Sequence, residues 1–162
     1  MKLQLITTEG TYLQIDTWIP PSKNNKTNAF GSRSTEVKRF YHDCKTATVE
    51  YMHLLQDFLK DYDPKKELLN IDVYSFQEYD RGDLHNTNEI LADGLQELLG
   101  INDLYYVIVN HPRMYDPREH LIVNISKRKN LFAESRKGAQ KQKKMIENFE
   151  KFMTKTKKAR KK

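Results

Sequence analysis

The stretch Asp80-Arg81-Gly82-Asp83-Leu84-His85-Asn86 separates two segments that have different hydrophobic periods. Residues 69–79 before it have the β-branched and aromatic side chains of a strand, and residues 86–99 after it repeat leucine at helical spacing. The sequence therefore predicts that a strand leads into a helix here, with carboxylates and a histidine at the junction. Carboxylates are the ligands that hard divalent cations prefer, although Asp and Asn also commonly cap helices.

The predicted helix and the turn after it add two candidate acidic residues. At 100° per residue Asp93 falls on the side of the helix away from its leucines, so a solvated face is expected. Gly100 is the expected C-cap, and Asp103 lies in the turn that precedes a strand over 104–110. By spacing alone, an aspartate on such a face is more often an ordinary surface residue than a functional one. The leucines that define the opposite side are Leu91, Leu95, Leu98 and Leu99.

The rest of the chain predicts a mixed α and β architecture. Strands are expected over 2–7, 11–20 and 119–126, and Ser34 or Thr35 is expected to cap one long helix that ends before Asp63-Pro64. We therefore predict an α/β (α+β) fold: a mixed sheet of about five strands, the long helix packed across it, a second short helix that carries the acidic site, and a basic C-terminal helix. The stripe of the long helix contains Val37, Tyr41, Cys44, Thr48, Tyr51, Leu55, Phe58 and Tyr62.

Length and charge divide the 162 residues into a body, 1–126, and a basic tail, 127–162. The tail has 15 Lys and Arg against three Glu, whereas the body has 13 against 19. The single cysteine, Cys44, excludes an internal disulfide and suits a reducing cytoplasm. No apolar run is long enough to span a membrane, and the N-terminal residues lack a signal-peptide core.

The tail is predicted to form an amphipathic helix over 142–153, which would dock on the body or on a partner, followed by a disordered Lys-rich stretch from Lys155. Such a basic arm is typical of proteins that neutralise nucleic-acid phosphates. A solubilising terminus and a membrane-surface helix are the alternatives. The apolar stripe of the helix contains Met145, Ile146, Phe149, Phe152 and Met153.

The order of these features resembles the RusA-type Holliday-junction resolvases, small metal-dependent endonucleases common in phages and prophages. The Pro-Pro-Ser-x-Asn loop of that family is matched by Pro20-Pro21-Ser22-Lys23-Asn24. Its Asp-x-Asp-Asn motif is matched by Asp83-Leu84-His85-Asn86, and its Asp-Ala-Leu sequence by Asp93-Gly94-Leu95. Its acidic turn is matched by Asn102-Asp103, so the resemblance covers residues 12–126.

Three positions depart from the family pattern. His85 replaces the second metal-binding Asp, Asn102 replaces the first Asp of the acidic pair, and Glu89 replaces a frequent lysine. Histidine ligates metals but shifts the preference from magnesium toward softer ions such as manganese or zinc. The resemblance implies that Asp83, His85, Asp93 and Asp103 are catalytic, and that the first, second and fourth of them hold Mg²⁺ or Mn²⁺.

Basic and polar side chains in four places are candidates for DNA binding. They lie in the loop after Pro21, in the loop over 111–118 and at the start of the tail, and a single arginine, Arg81, lies within the acidic motif as a fourth location. For each loop the alternative is an ordinary polar surface. The candidates are Lys23, Asn24, Asn25, Lys26, Arg81, Arg113, Arg118, Lys127, Arg128 and Lys129.

The function that the resemblance implies is endonucleolytic cleavage of branched DNA by a homodimer, in phage or prophage recombination, repair or replication in the bacterial host cytoplasm. Two other hypotheses remain open. One is a catalytically inactive DNA-binding accessory protein on the same fold, which the departures at His85, Asn102 and Glu89 motivate. The other is a protein-interaction module whose acidic body binds a basic partner.

Overall fold

The computed structural model describes residues 3–8, 11–22, 34–79 and 85–159, without the side chains of residues 85, 133, 134 and 149–159. The chain divides into two units, Met1–Arg128 and Lys129–Lys162. No helix in the described ranges is both long and apolar enough to cross a bilayer.

The first unit alternates strands and helices, and the second contains one helix. This content confirms the predicted α+β class with a mixed sheet. The elements are β1 (Gln4–Thr8), β2 (Tyr12–Thr17), α1 (Thr35–Glu50), α2 (Met52–Leu59), β3 (Glu67–Gln77), α3 (His85–Leu99), β4 (Tyr106–Asn110), β5 (Met114–Tyr115), β6 (His120–Lys129) and α4 (Leu131–Ala159).

The six strands form one sheet in the order β1-β2-β6-β3-β4, with the short β5 also paired to β3. β1 and β2 form an antiparallel pair, as do β2 and β6, whereas β4 and β5 both run parallel to β3. His120 at the start of β6 stacks on Phe76 near the end of β3, and Arg128 near the end of β6 contacts Asn70 near the start of β3. β6 therefore runs antiparallel to β3.

One face of the sheet forms the hydrophobic core with the helices. Burial alternates along β2 and β3 with the period of two that extended chains impose. The apolar residues of this face join residues of α1, α2 and α3 in a single buried cluster. The sheet contributes Leu3, Leu5, Leu13, Ile15, Leu69, Ile71, Val73, Leu121, Val123 and Ile125 to that cluster.

The predicted long helix is interrupted at Tyr51, which takes φ −112° and ψ 22°. The Tyr51 N–H still donates to the Ala47 carbonyl, and the Leu55 N–H donates to the Tyr51 carbonyl, so the i to i−4 pattern continues across the interruption. The N-cap prediction is confirmed at Ser34, whose Oγ accepts from the Val37 N–H at 3.4 Å. The interruption is invisible in the sequence because the stripe itself continues without a change of spacing.

The later elements differ from their predicted bounds in three places, one of which is β6, which runs to Lys129 rather than to residue 126. A 3₁₀ turn over Asp103–Tyr105 precedes β4, so the strand begins two residues later than predicted. α4 begins at Leu131 and continues through Ala159, so the prediction of a disordered stretch is wrong over residues 155–159. Good helix formers such as Lys, Glu and Gln occupy many positions of α4, which explains its length. Residues 160–162 lie outside the described ranges.

The helices α3 and α1 approach each other closely where they cross at Gly94. A Cβ atom at Gly94 would lie 2.4 Å from Cε1 of Phe40 and 3.1 Å from Sγ of Cys44. Phe40 is almost fully buried and meets Trp18 edge-to-face, with ring centroids 5.4 Å apart. Since the ring has little room to move, the chain needs glycine at position 94, where the family pattern has alanine.

Replacing Gly94 with alanine is expected to lower the free energy of unfolding by about 1–3 kcal/mol, because the new methyl group overpacks the core. This loss would outweigh the gain in helix propensity that alanine normally brings to a helix interior. Urea unfolding of the full chain measures the difference. In a Phe40→Leu background, which removes the clashing ring atom, the same substitution should cost clearly less, and an equal cost in both backgrounds would contradict the packing argument.

Candidate metal and nucleic-acid site

The predicted acidic motif lies at one end of a β-α-β unit. β3 leads through residues 78–84 into α3, and β4 then returns parallel to β3. Ligands commonly bind at the carboxyl ends of parallel strands in such units. Asp83, Arg81 and the loop residues Lys23, Asn24, Asn25 and Lys26 lie outside the described ranges, and His85 is described only as the first residue of α3.

Asp93 lies in the middle of α3, against α1. Its Oδ2 accepts a hydrogen bond from the Tyr41 hydroxyl at 2.7 Å, and the residue is half-buried. The expectation of a solvated face away from the core is therefore wrong for Asp93. The physical reason is the close approach at Gly94, which brings α1 over this side of α3 as well. Asp93 consequently has a structural role as an acceptor between the two helices.

Asp103 lies beyond the other end of α3, in the 3₁₀ turn before β4. The residue is exposed, and its backbone N–H donates to Oε1 of Gln96 at 3.4 Å. Asn102 caps the turn by accepting from the Leu104 N–H at 2.9 Å, which gives its amide a structural role. The turn is held further by the Tyr106 hydroxyl, which donates to the Ile101 carbonyl at 2.7 Å. Burial, reinforced by the charge of Asp103, raises the pKa of Tyr106 above its usual value.

Two of the predicted metal ligands, His85 and Asp103, lie at opposite ends of α3. Fifteen residues separate its ends, so His85 and the C-terminus of α3 lie about 20 Å apart at 1.5 Å per residue. The start of α3 at His85 also follows β3 whereas Asp103 precedes the start of β4, which places His85 and Asp103 toward opposite edges of two parallel strands. Ligands of one ion bind it at about 2–2.6 Å, so His85 and Asp103 of one chain do not share an ion.

Among the residues whose side chains are described, no three His, Cys, Asp or Glu side chains are placed to hold a metal ion together.

The structure also brings together a histidine and an aspartate that sequence reasoning missed. His111 Nε2 lies 2.8 Å from Oδ1 of Asp72, and its ring stacks on Tyr74 with centroids 4.2 Å apart. Asn70 donates to the other Asp72 oxygen at 2.6 Å and accepts from Arg128 at 3.3 Å. This network lies on the sheet face opposite the core. The alternation of polar and aromatic residues along 70–76 indicates a polar face of the strand that contains Asp72. The histidine that pairs with Asp72 could not be predicted, because His111 follows a different strand.

Several of the basic residues predicted to bind DNA already make contacts within the chain. Lys127 donates to the Lys60 carbonyl at 3.1 Å and lies over the Phe58 ring, and Arg118 pairs with Asp116 at 3.3 Å. That pairing raises the pKa of Arg118 and, with a backbone N–H, lowers the pKa of Asp116. Arg113 and Lys129 also make contacts within the chain. Arg118 is nevertheless highly exposed, so its guanidinium is accessible to a phosphate.

Cys44 is not a candidate nucleophile. Burial raises its pKa to about 12, and the nearby charges of Asp43 and Glu97 act in the same direction. Because the thiolate is the reactive form, the thiol is inert at neutral pH. Its role is to pack beneath Gly94 in the crossing of α1 and α3.

The comparisons with known proteins assign no family. No protein-family model matches the chain, and no curated protein matches it.

Replacing Tyr41 with phenylalanine is expected to lower the free energy of unfolding by about 1–2 kcal/mol, because it removes a hydrogen bond to a carboxylate. Urea unfolding measures the effect, with Tyr51→Phe as the control for loss of a hydroxyl from a half-buried tyrosine. Asp93→Asn keeps an acceptor oxygen and should cost less than Asp93→Ala. Equal stability of Tyr41→Phe and wild type would remove the structural role assigned to this pair.

Proposed function

We propose that the chain is a metal-dependent endonuclease that cleaves branched DNA, with a site of the RusA type. The supporting observation is the β3-α3-β4 unit, which leads from the end of β3 through the Asp83-Leu84-His85-Asn86 motif into the N-terminus of α3. This is the edge at which parallel strands commonly present ligands.

Asp83 and His85 are the residues that would hold the ion. They are separated by one residue and together supply a hard carboxylate oxygen and a borderline imidazole nitrogen as donors. A bound Mg²⁺ or Mn²⁺ would lower the pKa of a water molecule and stabilise the oxygen that leaves phosphorus. Lys and Arg side chains would position the phosphates without reading bases. Arg118 and the four lysines of α4 whose side chains are described, Lys137, Lys141, Lys143 and Lys144, are exposed and fit that role.

The separation of His85 and Asp103 at opposite ends of α3 supports a homodimer. Since Asp103 lies beyond the far end of α3 from His85, it reaches a shared metal centre only if it comes from a second copy. Two-fold symmetry then gives two equivalent sites, each with Asp83 and His85 from one protomer and Asp103 from the other. Two sites related by a two-fold axis also suit a four-way junction, in which two strands are cut.

The second candidate is a DNA-binding accessory protein that has lost cleavage. Two observations favour it: Asp93 is engaged by Tyr41, and Asn102 caps a turn rather than adding a carboxylate. This protein would bind a junction with the steep salt dependence that multiple phosphate contacts produce.

The cleavage test uses a labelled four-way junction and a linear duplex of the same sequence, with Mg²⁺, Mn²⁺ or EDTA. We expect paired cuts in the junction with Mn²⁺ or Mg²⁺ and none with EDTA. Asp83→Asn should reduce the rate of junction cleavage by about 100-fold or more. Loss of a residue that only supports a metal ligand typically costs about 10–100-fold, and loss of the ligand itself should cost more.

The matched control is Asp57→Asn, since Asp57 is an exposed aspartate of α2 outside the proposed site. Junction binding without cuts under every metal would overturn the nuclease and favour the accessory protein. Absence of both binding and cuts would contradict both candidates.

A further inference from the structure

The 29-residue helix α4 exposes apolar side chains wherever its side chains are described. Each described side chain of α4, at 131–132 and 135–148, is exposed. Four large apolar residues are among them: Leu131 is 64% exposed, Phe132 75%, Met145 64% and Ile146 55%. A soluble helix with such a face normally gains its stability by burying that face against another element. The face therefore needs a partner.

The apolar face repeats every seven residues. The pairs Leu131-Phe132, Gly138-Ala139 and Met145-Ile146 follow one another at that spacing, and the sequence continues it with Phe152-Met153. A strict seven-residue repeat keeps one face of a helix turned toward a second helix over several turns. The partner expected from this pattern is a helix of similar length.

A row of lysines repeats at the same spacing on the opposite side. Lys137, Lys144, Lys151 and Lys158 are seven residues apart, and each follows an apolar pair by five residues, about 150° around the helix axis. Lys137 and Lys144 are exposed. Because the lysines point away from the apolar face, they do not oppose the pairing of two identical helices there.

We propose that α4 pairs antiparallel with α4 of a second copy, with the two-fold axis at Gln142. This register places Gly138 opposite Ile146 and Ala139 opposite Met145, so that small residues face large ones. A Cβ at Gly138 would meet nothing within 4 Å, which leaves space for the partner's side chain. Parallel pairing would instead place Gly138 opposite its own copy and leave a gap.

Electrostatics favour the same orientation. Six of the last eight residues, Lys155–Lys162 without Thr156 and Ala159, are cations, and parallel pairing would bring both copies of this cluster together. Antiparallel pairing separates them by about the 44 Å length of the helix, which is several Debye lengths at physiological salt. The two lysine rows then lie on the outside of the pair, where phosphates can reach them.

A membrane surface is the alternative occupant of a basic amphipathic helix. The middle of the apolar face argues against it, because Ser135, Gly138, Ala139 and Gln142 offer no large side chain to insert into lipid. The same residues allow two helices to approach closely.

The test measures the mass of the full chain in solution by light scattering and by sedimentation. We expect a dimer for wild type, a shift to monomer for Ile146→Lys, and an unchanged dimer for the control Gln140→Lys. The control introduces the same side chain on the side of α4 away from the apolar face. The mass is measured in EDTA, which removes the ion that the proposed sites would share between two copies, so failure of this proposal is distinguishable from failure of the proposed nuclease.

Disulfide formation tests the orientation, with the buried Cys44 as a silent background. Gln142→Cys should crosslink two copies under mild oxidation, whereas Gln140→Cys and Leu131→Cys should not. Crosslinking of Leu131→Cys to itself would establish parallel pairing and overturn the register. A monomeric wild type would overturn the pairing itself, and so would a dimer that survives Ile146→Lys. If the chain is a monomer that binds phosphatidylserine vesicles, and Ile146→Lys abolishes that binding, the apolar face belongs to a membrane.

Discussion

The contact between α1 and α3 at Gly94 determines the arrangement of the body. With no side chain at this position, α3 comes close enough for Phe40 and Cys44 to pack directly against its backbone. The Thr48 hydroxyl lies within hydrogen-bonding distance of the carbonyls of Glu97 and Leu98, at 3.3 and 3.2 Å, which fixes the last turn of α3. The Lys45–Glu97 ion pair is largely exposed and adds little. The crossing therefore holds α3, and with it both groups of predicted site residues.

Much of this body could be predicted from local sequence signals. The α+β class, the Ser34 cap and the αL conformation of Gly100, at φ 68°, follow from periodicity and from the chemistry of single residues. The exposed side of α3 was predicted from helical angles alone, which assume that only one side of a helix is covered. That assumption failed for Asp93, because α1 covers a second side through a close approach that a helical wheel does not contain.

The Asp72–His111 pair illustrates a second limit of sequence reasoning. Its members are 39 residues apart and meet only because β4 returns parallel to β3 and ends beside Val73. The interruption at Tyr51 is a third case, since the helical stripe passes through it unchanged. For Asp93 and for the Asp72–His111 pair the missing information is the placement of one element against another, which residue type and spacing do not encode.

The proposed functions of the two units are consistent with their charges. The body has an acidic excess and contains the candidate metal ligands, while the C-terminal unit carries the lysine rows that would bind phosphates. Both proposals require a second copy for separate reasons: one because Asp103 is far from His85 in the same chain, the other because the apolar face of α4 is exposed. Two-fold symmetry satisfies both requirements.

The most direct test of the central claim mixes two inactive variants, Asp83→Asn and Asp103→Asn, and measures junction cleavage after subunit exchange. If each site takes Asp83 from one protomer and Asp103 from the other, a mixed dimer contains one intact site, so single-strand nicking should return without paired cuts. A mixture of Asp83→Asn with His85→Ala should stay inactive, because both changes fall on the same end of α3. Absence of nicking in the first mixture would contradict the shared site.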